Sequence, residues 1–145
     1  MGLVKTMETH VDIKQLVKDS FIDEQRAFRP CAFFDERLDC IRVIARDCSV
    51  LEERINDRVT VLIDNYYPEP GRRQYVGFTL KGAKHFCREQ GWYSSRSIKM
   101  TAFLDALLAT FPELVVEWFI EKVARPLTQE ENIEQVEIPE GALFA

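Results

Sequence analysis

A chain of 145 residues with 46% apolar and 30% charged side chains has the usual size and composition of one globular domain. It carries enough apolar residues for a core without staples, which excludes a disordered or fibrous polymer. The net charge of −5 opposes wholesale capture by nucleic acid, and no apolar run approaches the roughly 18 residues of a membrane span.

The N-terminus has no apolar h-region, so the expected setting is cytoplasmic, although residues 1–6 fit the loose myristoylation pattern at Gly2. Asp12 and Gln15 have the spacing of a capping box. Behind them Ile13, Leu16, Val17, Ser20 and Phe21 recur at helical spacing and predict an amphipathic helix over 12–26, stopped by Arg29-Pro30.

The period then changes to two. Ala32-Phe33-Phe34 reads as a short strand, and Ile41, Val43 and Ala45 alternate with Arg42, Ile44 and Arg46 over 40–46. Residues 50–55 and 59–63 read as a hairpin around Asn56-Asp57, two residues that tolerate positive φ. Pro68 and Pro70 make 65–72 a loop, and 75–80 is the last strand.

Helical periodicity takes over from there. Residues 81–90 predict a short helix closed by Gly91, and Ser97 is placed to cap a helix running to about Thr110. Thr110-Phe111-Pro112-Glu113 reads as a second capping box. In the helix that follows, Glu113, Glu117 and Glu121 form an acidic stripe while apolar residues fill most of the remaining arc. Such a helix is either central to the monomer or a dimer contact, and Pro126 is expected to end it.

The expectation is an α+β fold: a four- to five-stranded antiparallel β-meander with an N-terminal helix and a C-terminal helical half packed on one face. Residues 1–145 form one domain, divided into an N-terminal helix (1–30), the meander (31–80), helices (81–126) and an acidic C-terminal arm (127–145).

Three strand segments carry a resemblance: 39–43, 53–64 and 76–80. Over residues 32–83 they resemble the domain of unknown function 2283 family of small bacterial β-meander proteins, which lends no established activity. The resemblance implies a bacterial origin and the strand register. Thr79 stands where that family usually has an acid, the loop 65–73 replaces its tight turn, and the helices after Gly82 have no counterpart in it.

The chemistry-bearing residues form no catalytic constellation. The cysteines Cys31, Cys40, Cys48 and Cys87 are widely spaced, three of them lie among apolar or β-branched neighbours, and they read as reduced thiols. His85 and Cys87, two apart on a helix, point about 200° from each other and cannot readily share a metal or form a nucleophile–base pair. His10 is the only other histidine. There is no P-loop, GxGxxG or GxSxG. The reading is no catalytic residue, no metal and no cofactor.

Recognition is the better fit. Seven Lys/Arg against Glu89 give 71–100 a net charge of +6, which leaves −11 on the rest. Partner-binding residues are expected at Tyr66, Tyr67, Arg72, Arg73, Trp92 and Tyr93, with a basic patch at Lys84, Arg88, Arg96 and Lys99. The Tyr66–Gly71 loop is equally readable as a structural crossover whose tyrosines pack on the sheet. Val115, Trp118 and Phe119 are the expected dimer contact. The functional expectation is a non-catalytic interaction or regulatory module, homodimeric, whose partner is a protein or itself. Nucleic-acid binding through 71–100, or a small-molecule-binding protein or enzyme with a pocket between sheet and helices, is the alternative.

Overall fold

A computed structural model describes residues 28–66 and 74–144. The N-terminal helix expected over 12–26, His10, Tyr67, Arg72 and Arg73 lie outside the described residues.

The strands are β1 (Cys31–Asp35), β2 (Cys40–Ile44), β3 (Val50–Arg54), β4 (Val59–Asp64) and β5 (Tyr75–Lys81). They are followed by α1 (Ala83–Glu89), β6 (Ser97–Lys99) and α2 (Met100–Thr110). α3 (Leu114–Phe119) then runs through a π-helical turn (Ile120–Ala124) into α4 (Arg125–Glu130), before β7 (Gln135–Glu137). The fold is α+β. Its sheet has seven strands in the order β3-β4-β5-β2-β1-β7-β6, antiparallel except for the parallel contact Phe33↔Glu137 between β1 and β7.

This differs in detail from the expected four- to five-stranded meander. β2 pairs with β5, Val43 opposite Phe78, instead of with β3. Residues 45–49 cross the ends of β5 and β4 to reach the edge. Five residues at about 3.3 Å each cover the three strand spacings of about 4.8 Å. The result is a Greek-key order, which hydrophobic alternation alone does not distinguish from a meander.

The two remaining strands come from segments read as helix and arm. Ser97–Lys99 is not the helix cap but a strand pairing with Gln135–Glu137, Ile98 opposite Val136. α2 therefore starts at Met100, whose N–H donates to Glu134 O at 2.8 Å.

Local chemistry explains the boundaries. The β3–β4 turn uses no positive φ at Asn56 or Asp57. Instead Asn56 Oδ1 accepts the N–H groups of Arg58 at 2.8 Å and Val59 at 2.7 Å, a side-chain mimic of a backbone turn. Asp39 caps α1 from the β1–β2 turn: its carbonyl takes the Gly82 and Ala83 N–H groups, and Oδ1 takes that of Lys84. Gly91 closes α1 at φ +81, with its N–H on Arg88 O and that of Trp92 on Cys87 O, the Schellman pattern.

Pro126 does not end its helix. The preceding turn widens, so that the Arg125 N–H reaches Ile120 O, five residues back, and the proline falls in the first turn of α4, where an N–H is dispensable. Chain direction changes at Asn132, at φ +56, instead.

The core lies on one face of the sheet. Ala32, Phe34, Ile41, Val43, Val61, Phe78 and Leu80 meet Phe86, Phe103, Leu107, Val116, Phe119 and Ile120. Phe78 is its hinge point, 5.3 Å edge-on to Phe119 and 6.2 Å stacked on Phe103. Gly77 lets β5 approach β2, because a Cβ there would stand 2.1 Å from Val43 O.

Candidate functional site

A groove of about 500 Å³ lies where the start of β5 faces the π-helical turn, lined by Tyr75, Val76 and Val123 together with Arg46, Trp118, Lys122, Glu130 and Glu131. Register builds it from the sheet side: Leu51, Ile63 and Tyr75 are paired across β3, β4 and β5. The Tyr75 ring meets the Trp118 ring edge-on at 6.3 Å. Arg46 is held by Gln74 at 2.8 Å and Asp64 at 3.3 Å.

Beside the groove α3 presents three large apolar side chains to solvent. Leu114 is 84% exposed, Val115 46% and Trp118 48%. The positions i, i+1 and i+4 share one side of a helix. Phe119, expected at the same contact, is completely buried against Phe78 and belongs to the core. The acidic stripe has separate duties: Glu113 accepts from Asn56 Nδ2 at 2.9 Å, and Glu121 accepts from Arg125.

A smaller cavity of about 270 Å³ sits on the other side of the π-helical turn, between the start of α2 (Met100, Thr101, Leu104) and Arg125, Thr128 and Ile133. Arg125 bridges Asp105 and Glu121, and these partners raise its pKa against the lowering effect of burial. The cluster carries two carboxylates for one guanidinium, so an anion finds no spare cation there.

The residues of the expected basic patch have separate surroundings. Arg88 lies over the Tyr93 ring at 5.6 Å, Arg96 pairs with Glu140, Lys84 is half-buried beside Asp39, and Lys99 is exposed on β6. Trp92 is half-buried with its ring edge-on to Phe86 at 6.0 Å, which commits it to packing. Tyr66 is largely exposed after β4. The structure thus brings Arg88 and Tyr93 together.

Cys87 is fully buried in the core, and burial, with a smaller contribution from Asp39, pushes its thiol up to about 12. Burial likewise raises Cys31, Cys40 and Cys48. None is poised as a thiolate nucleophile. His85 pairs with Glu89 one turn on. Among the described residues no group of His, Cys, Asp and Glu is gathered to hold a metal ion, and no helix is long and apolar enough to cross a membrane.

Sequence reasoning missed the Arg46–Tyr75–Trp118 grouping because its members come from three separate elements. The legible signal was the unusually wide apolar arc of 114–123, more than one core contact needs. No protein-family model, curated protein or solved structure matches the chain.

Proposed function

We propose that the protein is a non-catalytic interaction module that pairs with a second copy of itself through Leu114, Val115 and Trp118. The exposure of these three side chains on one side of α3 carries the reading. Burying them is worth about 25 cal/mol per Å², and tryptophan is the commonest type of interface anchor. The adjoining groove carries both signs of charge, with Lys122 and Arg46 beside Glu130 and Glu131 in its lining. A two-fold contact presents the same patch twice, so Lys122 of one copy meets the acids of the other. The likeness of residues 32–83 to the 2283 domains is a proposal of kinship that adds no activity.

A charge swap tests it. Lys122→Glu alone, and Glu130→Lys with Glu131→Lys alone, are expected to weaken dimerisation at least tenfold, and mixing the two variants to restore a heterodimer in sedimentation. Dimers indifferent to both variants, or monomers throughout, defeat the proposal.

Nucleic-acid binding is a second reading, supported by Arg88 over Tyr93 and exposed Lys99, and weakened by the pairing of Arg96 with Glu140. Its mark is salt-dependent retention on DNA or RNA that Arg88→Glu abolishes.

A further inference from the structure

The cavity of about 270 Å³ beside the π-helical turn takes its walls from three segments: α2, α4 and the chain that turns at Asn132 back towards β7. The Met100 N–H donates to Glu134 O at 2.8 Å, which fixes the returning chain against the start of α2. Met100, Leu104 and Ile133 make the lining apolar, and the Thr128 hydroxyl is already committed, donating to Ala124 O at 2.9 Å. Arg125 is the one cation in the lining. Its Nε donates to Glu121 at 3.0 Å and its Nη2 to Asp105, so two carboxylates hold the guanidinium in place. Nη1 has no acceptor among the described residues. The turn that carries this arginine is of a rare kind that occurs frequently at functional sites.

We propose that this cavity binds a small neutral molecule with an apolar body and one carbonyl or hydroxyl oxygen, which accepts a hydrogen bond from Arg125 Nη1. Three observations select that class. The apolar lining rewards burial of an apolar body and offers a polar one few partners. A dry cavity of about 150 Å³ holds benzene, so this volume suits roughly ten non-hydrogen atoms. Charge decides the rest: Asp105 and Glu121 already neutralise Arg125 and Glu134 adds a further carboxylate to the lining, so an anionic ligand meets a net negative site. A neutral acceptor uses the spare N–H without that penalty. The site is independent of the proposed self-association, because Leu114, Val115 and Trp118 do not line it.

Met100 supplies the reporter. The full chain is prepared with ¹³C-labelled methionine methyl groups, and the Met100 signal is assigned by its loss in Met100→Leu. Three probes of similar size are titrated: acetophenone, a neutral ketone; benzoate, an anion; and ethylbenzene, a hydrocarbon without an acceptor. Acetophenone is expected to shift the Met100 methyl signal saturably, with a Kd of roughly 0.1–1 mM for a ligand of this size. Benzoate is expected to bind at least about tenfold more weakly, and ethylbenzene at least about fivefold more weakly. Arg125→Lys keeps the charge and loses the guanidinium fork, so it should weaken acetophenone about fivefold and leave ethylbenzene unchanged. The comparison of the three probes on the native chain stands even if that variant does not fold. No saturable Met100 shift with acetophenone overturns the proposal. So does benzoate or ethylbenzene binding as tightly as acetophenone, or a folded Arg125→Lys that binds the ketone as the native chain does.

Discussion

Gly77→Ala tests the central pairing of the sheet. The added Cβ would lie 2.1 Å from Val43 O and 3.1 Å from Val43 C, both backbone atoms, so no side chain can turn away to relieve it. Bringing that contact to an acceptable separation moves β5 from β2 by roughly 1 Å. Overpacking of this kind costs about 1–3 kcal/mol, and loosening two neighbouring ladder hydrogen bonds adds about 1 kcal/mol each, for a total near 3–5 kcal/mol. Against a domain stability of about 5–15 kcal/mol this is a large share. Urea unfolding followed by far-UV circular dichroism measures it. With a slope of about 1.5 kcal/mol/M the midpoint falls by about 2–3 M. Gly91→Ala is the contrast: its Cβ meets open space, leaving only the strain of φ +81, about 1 kcal/mol. A Gly77→Ala midpoint within about 0.5 M of the native one would refute the β2–β5 register, since that shift is worth less than about 1 kcal/mol.

Three further outcomes separate core, surface and thiol. Phe119→Ala is expected to cost about 3–5 kcal/mol in urea unfolding, while Leu114→Ala stays within about 0.5 kcal/mol at monomeric concentration; the reverse order would misplace the α3 faces. The Arg96–Glu140 pair is exposed on both sides, so Arg96→Ala should change stability by less than about 1 kcal/mol, and a larger loss would mean that β6 depends on it. Cys87 binds its proton more tightly folded, to about 12, than unfolded, at 9.0. Its contribution is therefore complete below pH 9 and is lost between pH 9 and about 12, at about 1.4 kcal/mol per unit. Cys87→Ala should flatten that alkaline decline, and an unchanged slope would contradict the burial of the thiol.

The strands were legible because short apolar, β-branched runs bounded by turn residues mark 40–44, 59–63 and 75–80, with a two-residue alternation clearest at 41–44. Their spatial order was not. Val43 meets Phe78 across 35 positions, and nothing local in either segment names its neighbour. Three-residue strands such as Ser97–Lys99 are too short for a two-residue alternation to stand out, so Ser97 reads as a cap when it pairs with Glu137. Pro126 reads as a stop because a proline interrupts an α-helical ladder. The π-helical turn before it removes that conflict, and sequence periodicity does not encode the turn. At the site, the arc of 114–123 showed that two contacts were needed, but not that Phe119 serves the core while Val115 and Trp118 face solvent.

Sedimentation velocity of the native chain over a concentration series tests the proposed self-association most directly. Between about 1 and 200 µM, where interfaces of modest affinity assemble, the mass should rise from 16.9 kDa to twice that value, with Trp118→Ala holding it at the monomer. A native chain of 16.9 kDa at every concentration, or a dimer that Trp118→Ala leaves intact, contradicts the account.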